Sequence, residues 1–229
     1  MSDSPAMELL AQGRDCDVFD RGDGTVLRRS RTDHDQAGEA RVMGHVAEHG
    51  YPVPAVHEVS DDGRDMVMAK VAGPTMLQAL ERRPWQGRAI GRRLAELLLA
   101  LHAIPAPDGL GALRDGDALL HFDLHPMNVI LSPGGPVVID WTNAVRGAPG
   151  YDAARAWALM ACAEGDVSGL LRLAVGQVRR RLVEGFVDAV GRDEARAGLA
   201  YAVELTLLDP NISTAEKARM QALVVDEGV

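Results

Sequence analysis

The pattern of this chain changes character at Ala72-Gly73-Pro74. Before that point, short apolar and polar runs alternate between Gly/Asp turns, the period of half-buried strands. After it, apolar residues recur at spacings of three and four, the period of helices. Such a division predicts an α+β fold, with an antiparallel sheet and one helix in residues 1–72 and a mainly helical part in residues 73–229. Strands are expected over Glu8–Gln12, Cys16–Asp20 and Thr25–Arg29, the last two joined by Arg21-Gly22-Asp23-Gly24, whose Asp-Gly pair favours a hairpin. A helix follows over His34–His49 and stops at Gly50, then strands Ala55–Val59 and Met66–Val71 flank an Asp61-Asp62-Gly63 turn.

In the second part, helices are expected over Thr75–Arg82 and Trp85–Ile104, the latter with Ile90, Leu94, Leu97, Leu98 and Leu101 on one face. A loop rich in Pro and Gly, Pro105 to Gly116, leads to short strands Val129–Leu131 and Val137–Asp140 around a Pro-Gly-Gly turn. Helices Tyr151–Glu164, Leu170–Val190, Glu194–Leu208 and Thr214–Val225 complete the chain, the last opened by a capping box of Ser213 and Glu216. The longest apolar stretch, Leu94 to Ile104, is interrupted by Glu96 and His102 and is too short to span a bilayer.

A formal net charge of −9 leaves no basic excess to neutralise a nucleic-acid backbone, so a neutral or cationic small partner is expected, with no nucleic acid and no membrane. The two cysteines, Cys16 and Cys162, fit neither a disulfide framework nor a zinc pattern. With a polar, acidic start that lacks the basic-then-apolar order of a secretory signal, a cytoplasmic location is expected.

The segment that carries chemistry is His121-Phe122-Asp123-Leu124-His125-Pro126-Met127-Asn128, followed by two strands of which the second ends in Asp140. Two carboxylates and an amide near strand tips are hard oxygen donors, suited to a divalent cation and phosphate. Taken alone, an Asp and an Asn in one loop are also ordinary turn residues. Zinc at His121, Asp123 and His125 is a rival reading, but no histidine follows His125 to complete such a site. Upstream, Val26 and Arg28 share one face of their strand. Glu39 precedes Val42, Met43 and Val46 by three, four and seven residues, so a carboxylate lies on the apolar face of its helix and needs a cationic partner, for which Arg28 is the natural candidate. The bland alternative makes Arg28, Arg29 and Arg31 a solvated basic edge.

The segment from His121 to Asn128 resembles the catalytic loop of protein-kinase-like enzymes, and its His125-Pro126 resembles the aminoglycoside phosphotransferase family most. That resemblance, spanning about Gly13 to Trp157, implies a two-lobed protein-kinase-like fold, ATP and Mg2+ as cofactors, and a small-molecule alcohol as acceptor. It implies that Asp123 is the catalytic base and that Asn128 and Asp140 are metal ligands. Arg28 and Glu39 would form the ion pair of the strand and the helix beside the phosphates. Gly13 and Val18 are what remains of a glycine-rich loop, with Ala11 and Cys16 at two glycine positions and phosphate contacts implied near Asp15 and Cys16. Val26 would touch adenine, and Met68, Ala69 and Val71 resemble the hinge whose backbone meets the adenine edge. Asp152 would support the catalytic loop. Aminoglycosides, macrolides, choline-like alcohols, sugars and homoserine-like alcohols are compatible acceptors, with Asp209 and Glu204 as acidic candidates for a cationic one. Two alternatives remain: a kinase-like nucleotide-binding protein without catalysis, and a protein Ser/Thr kinase, which the short segment from Asn143 to Gly150 disfavours because it leaves no room for an activation loop.

Overall fold

The computed structural model describes residues 7–13, 15–32, 36–163 and 169–229, the side chains of 169–171 excepted. It divides into two compact units, Met1–Gly73 with Ile130–Thr142, and Pro74–Val129 with Asn143–Val229. The boundary expected from sequence left all of 73–229 together, whereas Ile130–Thr142 clusters with the first unit. The backbone explains this: Val138 N–H donates to the Pro52 carbonyl at 2.8 Å. Gly73, at φ +144°, lies so close to Leu131 that an added Cβ would stand 2.2 Å from its carbonyl oxygen. Only glycine permits that approach.

The first unit is built on an antiparallel sheet of order β1-β2-β3-β5-β4, from β1 (Glu8–Gln12), β2 (Cys16–Asp20), β3 (Thr25–Ser30), β4 (Val56–Val59) and β5 (Asp65–Ala69). Helix α1 (Ala37–Glu48) buries Glu39, Val42, Met43 and Val46, as the spacing predicts. Its expected first residues, His34 and Asp35, lie outside the described residues. Gln36 at the helix start is fully buried and donates to the carbonyl oxygens of Arg28 and Arg64. The fifth strand ends at Ala69 rather than Val71 because Ala69 pairs with Thr25, the first residue of β3. A second, two-stranded sheet joins β7 (Val129–Ser132) to β8 (Gly135–Val138). The expected strand to Asp140 stops two residues early, where Asp140 takes φ +64° and turns the chain.

The second unit is mainly helical. Thr75 and Gln78 form a capping box at α2 (Met76–Arg82). The single helix expected over Trp85–Ile104 is instead a 3-10 turn, Pro84–Gln86, followed by α3 (Gly87–His102), since Pro84 suits a first-turn position. Strands β6 (Ala118–Leu120) and β9 (Val145–Gly147) pair antiparallel with Leu119 and Leu120 fully buried; at three residues each they are too short for a periodic signal. Helices α4 (Pro149–Cys162), α5 (Gly169–Val190), α6 (Arg192–Leu207) and α7 (Thr214–Asp226) follow, the last with the expected box of Ser213 and Glu216. The α3 and α5 backbones meet at Gly91, where a Cβ would lie 2.0 Å from the Leu182 carbonyl oxygen. Leu94, Leu98, Leu101, Phe186 and Leu199 are fully buried in this unit. Among the described residues, no helix is long and apolar enough to cross a membrane.

Candidate active site

In the first unit, antiparallel register sets the site. Val18, Arg28 and Met66 stand opposite one another across β2, β3 and β5, and Asp20, Val26 and Met68 form the next row. Alternation puts both rows on one face, so Val18, Val26, Arg28 and Met68 share it. Arg29 falls on the other face, where it pairs with Asp65 through two hydrogen bonds of 2.8 and 2.6 Å. Arg28 is therefore no part of a solvated edge: it is buried and spends its charge on acids. One terminal nitrogen, Nη1, bonds Oε2 of Glu39, and the other, Nη2, reaches Oδ1 of Asp140 at 3.3 Å and the Thr142 hydroxyl at 3.0 Å. Burial opposes the Arg28 charge, but Glu39 and then Asp140 outweigh it and hold the guanidinium above its usual value.

Glu39 is the hub of this cluster. Its Oε1 accepts the backbone N–H of Trp141 at 3.0 Å, while Oε2 accepts from Arg28 and lies 3.1 Å from the Thr142 hydroxyl. Trp141 packs edge-on against Tyr51 with ring centroids 5.7 Å apart, fixing the chain just past Asp140. Nearby, Gly13 makes a tight turn, donating its N–H to the Cys16 carbonyl at 2.8 Å. Arg14, beside it, lies outside the described residues. The Asp15 carbonyl is occupied by the Arg31 N–H, and Cys16 is a buried thiol whose pKa is raised by burial against the pull of Arg28. At the expected hinge, the Ala69 N–H donates to the Ala55 carbonyl at 2.8 Å.

In the second unit, Asp152 in the first turn of α4 is fully buried and anchors the loop that carries Asp123. Its Oδ2 accepts the His121 N–H at 2.9 Å and contacts His102 Nε2 at 3.1 Å, while Oδ1 accepts the Phe122 N–H at 2.9 Å. Those bonds hold Phe122 at φ +60°, a costly conformation for a non-glycine residue, and so aim the next residue, Asp123. Asn128 then closes the loop, its Nδ2 donating to the Asp123 carbonyl at 2.9 Å and approaching Asp123 Oδ2 at 3.3 Å. His125 Nε2 lies 3.8 Å from Asp123 Oδ2. Buried Arg155 of α4 stacks over the Phe122 ring at 4.8 Å and donates to Thr206 at 3.0 Å. Burial depresses its pKa against the opposing charges of Asp123, Asp209 and Asp152. Asp209, expected as a candidate for a cationic acceptor, lies 3.9 Å from Arg155, and Glu204, the other candidate, is exposed.

The sequence matches the model of the phosphotransferase enzyme family over residues 6–118 and 110–199. The chain belongs to this family. Three solved structures share the fold of this phosphotransferase-family chain at low identity. A thermostable mutant of the aminoglycoside phosphotransferase APH(4)-Ia, in ternary complex with ADP and hygromycin B, aligns with a TM-score of 0.67 and 16% identity over 98% of this chain and 95% of that one. The ternary complex of APH(2")-IIa with streptomycin and ATP aligns with a TM-score of 0.60 and 16% identity, over 89% and 84%. A choline/ethanolamine kinase family protein from Mesorhizobium loti aligns with a TM-score of 0.61 and 18% identity, over 97% and 89%. No curated protein sequence matches significantly. The fold is thus the two-lobed kinase-like one of the family, with its antiparallel sheet in the N-terminal part and most helices in the C-terminal part.

Within this family member, several residues at the two clusters carried no signal of their own in the sequence. Thr142 is an unremarkable hydroxyl, His102 ends an apolar helix, and Arg155 sits amid alanines; each acquires a partner only when the chain folds.

Proposed function

We propose that this protein transfers the γ-phosphoryl group of Mg-ATP to a hydroxyl group of a small molecule. The observation that carries this reading is the loop from His121 to Asn128: a carboxylate at Asp123, aimed by Asp152 and closed by the Asn128 amide. In this account Asp123 orients the acceptor hydroxyl and takes its proton as the oxygen attacks phosphorus. Arg28, held in place by Glu39, offers fixed positive charge toward phosphate, and Val18, Val26 and Met68 offer an apolar face to adenine. The backbone of Ala69 and Val71 would meet the adenine edge, and the Gly13 turn would lie near the phosphates. The relatives crystallised with ADP or ATP support a nucleotide donor.

The donors fit magnesium. Among the described residues, no group of three His, Cys, Asp or Glu side chains could hold a metal ion. What is present is the half-exposed Asp140 carboxylate and the Asn128 amide, hard oxygen donors of the kind that bind Mg2+ together with water and phosphate oxygens. When bound, that cation would neutralise charge on the transferring phosphoryl group. Hygromycin B and streptomycin in the related complexes support an amino-sugar alcohol as acceptor, and the choline/ethanolamine kinase relative supports a smaller alcohol. Two buried free thiols suit a reducing cytoplasm.

The second reading, nucleotide binding without catalysis, draws on Arg28, whose two terminal nitrogens are both taken by protein oxygens. Protein kinase activity is disfavoured, since β9 occupies the short stretch after Asp140. Phosphorus NMR of Mg-ATP with a panel of amino-sugar, choline-like and sugar alcohols separates the readings. A phosphomonoester that disappears in Asp123→Asn supports transfer. Tight nucleotide binding with no product from any alcohol would favour the non-catalytic reading.

A further inference from the structure

Thr142 stands two residues beyond Asp140, and its hydroxyl lies 3.0 Å from Arg28 Nη2, 3.0 Å from Asp140 Oδ1 and 3.1 Å from Glu39 Oε2. A hydroxyl has one proton and two lone pairs, so it accepts from Arg28 while donating to one carboxylate at a time. Arg28 Nη2 also reaches Asp140 Oδ1, at 3.3 Å, so both protein contacts of that carboxylate fall on the same oxygen. The other oxygen, Oδ2, makes no hydrogen bond among the described residues, and the side chain is 45% exposed. Its base is equally fixed: Asp140 has φ +64°, and the following residue, Trp141, is 1% exposed with its N–H on Glu39.

We propose that Thr142 is a positioning residue for the divalent cation, tying Oδ1 of Asp140 inward so that Oδ2 alone is presented. The inference rests on Asp140 being a metal ligand. One oxygen from a carboxylate with a fixed rotamer suits Mg2+, which demands near-octahedral geometry and keeps several waters, whereas Ca2+ tolerates bidentate carboxylates and higher coordination. Thr142 therefore acts through Asp140 and favours the smaller ion. Glu39 Oε2 gives the hydroxyl a second acceptor, so it keeps a hydrogen bond whichever carboxylate its proton faces.

The test is calorimetric titration of AMP-PNP into wild type, Thr142→Ser and Thr142→Val, without metal and at stepped Mg2+ or Ca2+. Thr142→Val should raise the half-saturating Mg2+ concentration about ten-fold and narrow the preference over Ca2+, while Thr142→Ser stays near wild type, the expected effect of one hydrogen bond to a charged group. Metal-free nucleotide affinity should be the same in all three proteins. Thr142→Ala makes the same deletion without a branched side chain, for use if the valine variant does not fold. An unchanged Mg2+ requirement in the valine or alanine variant overturns the proposal. So does a serine variant as impaired as valine, or a loss of metal-free affinity equal to the loss with metal. If wild type binds the nucleotide with no Mg2+ dependence, the reading of Asp140 as a metal ligand falls, and this inference with it.

Discussion

Oδ1 of Asp152 accepts the backbone N–H of Phe122 at 2.9 Å, and that bond holds a left-handed residue immediately before Asp123. Replacing the carboxylate by an amide puts an NH2 group either against Phe122 N–H, at the Oδ1 position, or against His121 N–H and His102 together, at the Oδ2 position. Each buried donor left unpaired costs about 1–3 kcal/mol. Asp152→Asn should therefore lower unfolding stability by about that amount in urea titration, and turnover should fall with it as the loop loses its aim.

Asp123 itself is partly exposed, its Oδ2 approached by the Asn128 amide at 3.3 Å and by His125 at 3.8 Å, contacts that an amide of the same shape can in part keep. Asp123→Asn should leave the melting temperature close to wild type and lower turnover by about 10²–10⁴, the usual range for loss of a positioned acid–base group. The paired readout, intact fold with lost rate, separates it from Asp152→Asn.

Glu39 and Glu48 lie on the same helix and make a matched pair. Glu39 is buried and binds Arg28, Trp141 N–H and Thr142, whereas Glu48 is exposed. Removing one partner of a buried ion pair costs about 3–5 kcal/mol, against about 0.5 kcal/mol or less for a surface change. Glu39→Gln should therefore be strongly destabilising and Glu48→Gln silent, as measured by thermal unfolding of both variants.

Burial in α4 pushes the Cys162 thiol up to about 11, against the opposing charges of Arg219 and Arg179. Between the unfolded thiol value, about 8.5, and the folded one, the native state keeps a proton that the unfolded state has lost, so stability falls as pH rises. The slope from this group is at most about 1.4 kcal/mol per pH unit. Stability of wild type and Cys162→Ala, compared from pH 8 to pH 10.5, should show the shallower decline in the alanine variant. Below pH 8 the two slopes should coincide.

Much of the fold was legible because it follows local rules. Strand Glu8–Gln12 falls where alternation puts it, Cys16–Asp20 and, to within one residue, Thr25–Ser30 fall on either side of the Gly-Asp-Gly turn, and the Ser213 box fixes the start of α7. Glu39 was legible as a carboxylate on an apolar face, and Arg28 by its alternation with Val26. What escaped depends on contacts distant in sequence. Strands β6 and β9 are each three residues long and stable only as a pair, 25 residues apart at Leu120 and Val145. The turn at Asp140 ended a strand early because Trp141 is drawn to Glu39, about a hundred residues upstream. The same holds for Thr142, His102 and Arg155, whose roles arise from partners on other elements.

The most direct test of the central claim is thermal unfolding of wild type and Asp140→Ala with and without Mg-ATP or Mg-GTP. A ligand bound only by the folded state raises stability by about 2.7 kcal/mol at one hundred times its Kd. The account predicts a magnesium-dependent rise in melting temperature for wild type that Asp140→Ala loses. No rise with either nucleotide at millimolar concentration would contradict it, leaving the kinase-like fold without the nucleotide chemistry assigned to it.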